Sequence, residues 1–304
     1  MINSLISGIK KQDKVSLSKS ITLVENRIHG YKDILRQTFN LSSNSLKIGI
    51  TGPPGAGKST IVNEIAKIYT EKGKSVGVIC VDPSSPFNGG SILGDRIRLN
   101  DLYSKNVFIR SVSTRGELGG LFASISDIDT LYSAFNFDVI IYETVGVGQV
   151  EMDIMNYSNT VLLVITPESG DDIQMMKSGL LECADIIVIN KSDRPGASRL
   201  SASLDKLSFT KNKWNVPNLR TTGLKGEGFK TLIAKISNHT QFLIDNNILE
   251  KNNYEKYLKQ LKDIASEKLL SDFFDSKRMS KIDKEVSKSL KNRLSPQDLF
   301  EKIK

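Results

Sequence analysis

The sequence predicts an α/β fold, a mostly parallel sheet sandwiched by helices, on three observations. Short apolar runs recur without alternation at Leu46–Ile50, Ser75–Val81, Asp138–Tyr142, Thr160–Ile165 and Asp185–Ile189, as in strands buried on both faces. Segments of helical period separate several of them. The first run leads into Gly52-x4-Gly57-Lys58-Ser59 and then a helical stretch from Thr60 to about Lys72. Strand, glycine-rich loop and helix in that order make a phosphate-binding loop.

The rest of the chain is organised around this loop. Its glycines let successive backbone N–H groups curl around an anion, and the helix N-terminus adds its positive dipole end. Residues Gly52, Pro53, Pro54, Gly55, Ala56, Gly57, Lys58, Ser59 and Thr60 are therefore the expected nucleotide cradle. Lys58 would reach the β- and γ-phosphates, and the Ser59 hydroxyl would ligate Mg²⁺.

Composition narrows the class. At 304 residues, one α/β domain with helical extensions is expected: 1–45 an N-terminal helical extension, 46–247 the nucleotide domain and 248–304 a C-terminal extension. The formal charge is +8, of which residues 251–304 contribute +5 from 14 Lys and Arg against 9 Asp and Glu. The signs alternate there, which describes a solvated helical surface and not a nucleic-acid track. No apolar run approaches the ~18 residues of a membrane span, and no signal-peptide block follows Lys10, Lys11 and Lys14. Cys80 and Cys183 lie in apolar runs. Both are expected as buried thiols of a cytoplasmic protein.

Residues 1–40 repeat apolar positions at helical spacing (Leu5, Ile6, Ile9; then Leu17, Ile21, Val24, Ile28), so this prelude should pack as helices on the nucleotide fold. Gly73 is a natural helix stop. The strand Ser75–Val81 ends on Asp82, and a Pro-, Ser- and Gly-rich loop runs to Asp95. Long polar loops inside compact domains tend to be functional. Val107–Ser111 is a further strand, and a helix is expected from about Leu121 to Ala134. The run Asp138–Tyr142 delivers Glu143, followed by Thr144-Val145-Gly146-Val147-Gly148-Gln149. Ligands collect at the carboxyl ends of parallel strands, where Asp82 and Glu143 both fall. Acids there can grip the waters around Mg²⁺, and Gly146 can bring its N–H close to the γ-phosphate.

Asp185–Ile189 runs into Asn190-Lys191-Ser192-Asp193. A carboxylate at Asp193 can accept from guanine N1–H and N2–H₂. Adenine would leave it unpaired, which is how a site rejects an analogue strongly. Val216–Thr222 is read as a last short strand, after which Thr222 and Gly223 lie over the base and Gly223 offers its N–H to guanine O6. The tail is helical, with Tyr254, Tyr257, Leu258, Leu261, Ile264 and Ala265 on one face and Met279, Ile282, Val286 and Leu290 on another. A stripe this broad is expected to form a homodimer. Ser295 and Pro296 are placed as N-cap and N1 of a last helix.

Taken together, TGPPGAGKST, DPSSPFNGGSILGD, RGELGG, ETVGVGQVE, PESGDDIQMMK and NKSD resemble the MeaB/ArgK family, G-protein chaperones of B12-dependent acyl-CoA mutases. The resemblance implies a SIMIBI-type G domain, GTP or GDP as bound nucleotide, and an adenosylcobalamin-dependent mutase, methylmalonyl-CoA mutase by default, as partner. It further implies that Asp82, Asp95 and Glu143 are the Mg²⁺ and catalytic acids. Residues 82–95 and 143–151 become switches I and II, and 166–177 a further switch facing the mutase. Gln149, Asp171, Asp172 and Lys177 are its partner-facing candidates. Either Asp82 or Asp95 would orient the attacking water, and Arg96, Arg98 and Arg115 are candidates for an arginine finger. One departure is Thr222-Gly223, where the family usually reads Ser-Ala, implying a looser loop.

Three rivals share the loop. A nickel-inserting GTPase carries Cys/His clusters, whereas His29 and His239 are the only histidines here. A ParA- or ArsA-like ATPase needs Lys at the position of Pro53 and lacks NKxD. A GTP-binding scaffold without turnover is opposed by the set Lys58, Ser59, Asp82 and Glu143.

Overall fold

The computed structural model describes residues 1–41, 44–83, 106–114, 120–144, 156–168 and 181–304. Seven strands form one sheet: β1 (Leu46–Thr51), β2 (Val76–Pro83), β3 (Val107–Thr114), β4 (Val139–Thr144), β5 (Thr160–Ile165), β6 (Ile186–Ile189) and β9 (Asn218–Arg220). Their order is β3-β2-β4-β1-β5-β6-β9, and every pairing is parallel. Alternate residues serve opposite faces. Ile48, Ile50, Val78 and Ile141 join Ile61 and Ile65 of α4 (Lys58–Glu71) and Phe229 and Ile236 of α7 (Phe229–Asp245). Ile79, Val81, Ile140 and Tyr142 pack on the other side against α5 (Gly120–Ala134) and the N-terminal helices. Beyond them, Leu163, Ile165, Ile187 and Ile189 pack on α6 (Ala197–Leu207).

The prelude forms α1 (Ile2–Lys10), α2 (Lys14–Glu25) and α3 (Tyr31–Phe39). Leu5, Ile9, Leu17, Ile21, Val24 and Ile34 share a buried cluster with Ile128, Leu131 and Tyr132 of α5. Lys14 Nζ donates to the Val107 carbonyl at 2.7 Å, and Arg110 pairs with Glu25 at 2.5 Å. These contacts cover the edge strand β3, which would otherwise present a template for pairing.

Two sequence expectations are corrected, and one element is new. The last sheet strand is only Asn218–Arg220, because Pro217 has no N–H to add to the ladder. Before it stands an unforeseen hairpin, β7 (Thr210–Lys211) with β8 (Trp214–Asn215). Its two loop residues, Asn212 and Lys213, have φ of 50° and 70°, as a two-residue hairpin turn requires. Cys183 is only half-buried, since its one-turn helix Leu181–Cys183 lies just outside the sheet.

The chain divides into two compact units, Met1–Asn253 and Tyr254–Lys304. The helix α8 (Ile248–Phe273) runs through the boundary and buries none of its residues. Tyr254, Tyr257, Leu261 and Ile264 are all more than half exposed, at 66%, 55%, 53% and 64%. In the second unit, α9 (Ser276–Val286) is capped by Asp275, and α10 (Pro296–Ile303) by Ser295 with proline in its first turn. Phe273 stacks on Phe300 with ring centroids 5.2 Å apart. Arg278 lies over Phe273 and donates to the Ile303 carbonyl. The buried residue of α9 is Glu285, whose carboxylate accepts from Leu294 N and pairs with Lys288. Among the described residues no helix is long and apolar enough to cross a membrane.

At the amino ends of β5 and β6, His239 of α7 is 2% exposed. Its Nδ1 lies 2.9 Å from Thr160 Oγ1, and its ring packs on Trp214. Burial holds its imidazole below the usual histidine range, with Asp185 pulling weakly the other way. The unfolded chain therefore takes up this proton first, so stability should be full above ~pH 6.5 and fall as pH drops through that value. Urea midpoints measured between ~pH 8 and ~pH 5 should show this decline, and His239→Asn should flatten the part due to this residue. A slope unchanged by the substitution would refute the assignment.

Candidate functional site

The carboxyl edge of the sheet carries those of the expected site residues that fall among the described ones. β1 ends at Thr51, and the loop that follows is threaded between neighbouring elements. Gly52 has φ +140°, and a Cβ there would lie 2.0 Å from the Val164 carbonyl oxygen. At Gly57, φ +90°, a Cβ would lie 2.3 Å from Asn190 Nδ2. Only glycine meets both the left-handed backbone and the close approach.

Lys58 is 7% exposed, and its ammonium donates to the carbonyls of Gly52 at 2.7 Å and Pro53 at 3.0 Å. The charge is thus held inside the loop that would cradle phosphates. Ser59 Oγ donates to Glu143 Oε1 at 2.6 Å. Glu143 is 8% exposed and stands opposite both Ile50 of β1 and Cys80 of β2 in the sheet register. Cys80 Sγ lies 3.9 Å from the second carboxylate oxygen, a weak donor contact with no local signal in the sequence. Asp82 sits two residues further along β2, opposite Ser113; its side chain lies outside the described residues. A hydroxyl and a buried carboxylate at hydrogen-bond distance are hard oxygen donors, the chemistry Mg²⁺ prefers. The observed pair fits that ion. Among the described residues no group of three His, Cys, Asp or Glu side chains is assembled.

The NKSD segment is stitched to the phosphate loop. Asn190 is 2% exposed. Its Nδ2 donates to the Ala56 carbonyl at 2.9 Å, and its Oδ1 accepts from Gly223 N and Thr221 Oγ1, each at 3.3 Å. Lys191, at φ 55°, donates from Nζ to the Gly55 carbonyl at 2.8 Å. Ser192 occupies the variable position of the NKxD pattern. Here its N–H donates to the Thr221 carbonyl at 3.0 Å, and its hydroxyl lies 3.1 Å from Thr222 Oγ1. Asp193 keeps a 43% exposed side chain with Lys225 Nζ 3.9 Å away. The loop carrying Thr222 and Gly223 is not loose: Gly223 is buried, and Thr222 bridges Glu227. That expectation is corrected, because the smaller residue lets the loop approach its neighbours.

The remaining predicted residues, Asp95, Arg96, Arg98, Arg115, Gly146, Gln149, Asp171, Asp172 and Lys177, lie outside the described residues.

Asn190→Ala removes a donor and an acceptor from a buried network, so it should cost about 1–3 kcal/mol of stability and at least ~10-fold in guanine nucleotide affinity. Calorimetric titration with GDP alongside a thermal melt would check both, and unchanged GDP affinity would refute the role given to Asn190.

Comparison with known proteins agrees with this geometry. Residues 17–278 match the family model described as methylmalonyl Co-A mutase-associated GTPase MeaB. A Pyrococcus horikoshii protein named as a GTPase is 44% identical over 272 residues, covering 87% of this chain and 86% of that one. GTPase ArgK of Escherichia coli is 32% identical over 304 residues, covering 96% and 92%. The mitochondrial methylmalonic aciduria type A homolog of Mus musculus is 33% identical over 249 residues, covering 75% and 60%. The crystal structure of an LAO/AO transport system kinase superposes with a TM-score of 0.74 at 24% identity, covering 99% and 96%; that likeness concerns the fold alone. By the span of the family match and the identities of its relatives, the chain is a GTPase of the MeaB family.

Proposed function

We propose that this GTPase is Mg²⁺-dependent and serves as the chaperone of an adenosylcobalamin-dependent acyl-CoA mutase, methylmalonyl-CoA mutase in the first instance. In that role it gates cofactor loading and protects or reactivates the mutase in the cytoplasm, as a homodimer. The observation that carries the partner reading is the match over residues 17–278 to a family described by its association with that mutase. The exposed Tyr and Leu face of α8 supports the homodimer.

Hydrolysis works by positioning and charge stabilisation. When bound, Mg²⁺ would be held by Ser59 Oγ with Glu143, Asp82 and Asp95, and would neutralise charge on the β- and γ-phosphates. Lys58 and the N–H groups of the loop stabilise the charge that builds on the transferring phosphoryl group. Asp82 or Asp95 orients the attacking water, and GDP and phosphate are the products. Asn190 and Lys191 brace the loop while Asp193 accepts from the guanine edge. Gly146 senses the γ-phosphate. Gln149 and the segment with Asp171, Asp172 and Lys177 pass that state to the mutase.

Lys58→Ala should remove tight binding and turnover together, whereas Glu143→Ala should slow turnover ~10²-fold with GDP affinity changed only a few-fold. Steady-state hydrolysis with GDP titration separates the two, and wild-type turnover in Glu143→Ala would sink the acid assignment. For the partner, GTP hydrolysis is measured with and without methylmalonyl-CoA mutase. The wild type should be stimulated, and Lys177→Ala should keep its basal rate within a few-fold while losing the stimulation. No stimulation of the wild type would remove this mutase as the partner. A fully stimulated Lys177→Ala would return residues 166–177 to an ordinary helix entrance.

A further inference from the structure

The backbone ladder between β1 and β4 ends at the pair Ile50 and Glu143. One position further the side chains continue it: Thr144 Oγ1 donates to Thr51 Oγ1 at 3.3 Å. Thr51 and Thr144 are 2% and 1% exposed, so water serves neither hydroxyl. Among the described residues neither hydroxyl has another hydrogen-bond partner. Thr51 is the last residue before the phosphate loop, and Thr144 directly follows Glu143.

Alternation along the strands puts the two threonines on the opposite face from Ile50 and Glu143. Val81, the register partner of Thr144, packs on that face with Ile140 and Tyr142. Glu143 turns the other way and meets Ser59 in the first turn of α4. The end of β4 is therefore held from both faces, by Ser59 on one and by Thr51 on the other. Its outer edge stays paired with β2 as far as Val81 and Thr144, and Thr51 stays paired with Leu163 of β5. The hydroxyl bond alone ties these two separately anchored strand ends together beyond Ile50 and Glu143.

We infer that Thr51 and Thr144 are positioning residues of the GTPase: their bond holds the end of β4 against β1, and so fixes how the Glu143 carboxylate is presented to Ser59. The inference rests on the reading of Ser59 and Glu143 as the Mg²⁺ site. Without the bond, the end of β4 can swing about its β2 edge and carry Glu143 off Ser59. With the bond in place, the same swing strands two buried hydroxyls, which opposes it. Valine keeps the branched shape of threonine and its χ1 preference, so Thr→Val removes the bond and little of the packing.

The test combines steady-state GTP hydrolysis by the full chain with calorimetric titration of a non-hydrolysable GTP analogue, from chelated to saturating Mg²⁺. Thr144→Val should lower kcat about tenfold and leave KM for GTP within about twofold. It should raise the Mg²⁺ concentration that half-saturates analogue binding about fivefold, with affinity in EDTA within about twofold of wild type. Thr144→Ser returns the hydroxyl and should recover all of these values to within about twofold. In T51V/T144V the loss should match that of Thr144→Val and not multiply, as expected for two ends of one bond. If Thr144→Val alone does not fold, the double variant, which leaves no hydroxyl unpaired, enters the same titrations with the same loss expected. Wild-type kcat and Mg²⁺ dependence in Thr144→Val overturn the pair. So does a Thr144→Ser as impaired as Thr144→Val, a loss that multiplies in the double variant, an equal weakening in EDTA, or a double variant that fails to fold. A Glu143→Ala protein with unchanged Mg²⁺ dependence overturns the metal reading and the pair with it. A Mg²⁺ dependence that shifts in Glu143→Ala but not in Thr144→Val overturns the pair alone.

Discussion

One buried amide, the side chain of Asn190, joins the phosphate loop to the loop that carries Thr222 and Gly223. Its Nδ2 donates to the phosphate loop at Ala56, and its Oδ1 accepts from Gly223 N and Thr221 Oγ1. A buried amide without partners would cost about 1–3 kcal/mol, so the geometry is self-enforcing: the loops satisfy Asn190, and Asn190 holds the loops. Gly57 is part of the same constraint, since any side chain there would collide with Nδ2. The pairing of Asn190 N with the Ile165 carbonyl fixes where along the sheet edge the amide emerges.

The second dependency is the placement of Glu143. A carboxylate that is 8% exposed must find donors or give up its charge. Ser59 supplies one to Oε1, and Cys80 approaches Oε2. The parallel register, which sets Glu143 across from Ile50 and Cys80, brings residues more than sixty positions apart into contact. The chemistry of the site is thus a consequence of strand order. β1 lies between β4 and β5, so the loop after β1 meets the ends of both.

Function also draws on parts away from this edge. The N-terminal helices cover β3 and brace α5, the helix that follows the RGELGG stretch. The helix α8 carries Tyr254, Leu261 and Ile264 more than half exposed. Large exposed apolar patches mark interaction surfaces, and the proposed partner role would need one.

The sequence by itself determined most of the strands, the phosphate loop, the NKSD segment and the cap at Ser295. These are carried by local signals: apolar runs, glycine spacing and capping side chains at fixed offsets. The Asn212 and Lys213 hairpin was also locally encoded but lacked the usual glycine. Tertiary structure alone decided the partners of Asn190, the linking role of Ser192, the contact of Cys80 with Glu143 and the burial of His239. It also decided that Gly223 lies close to Thr60 and Asn190. Each of these depends on the register and packing of strands and helices distant in sequence, as between Asn190 and Ala56, 134 positions apart. No window of neighbouring residues records such a distance.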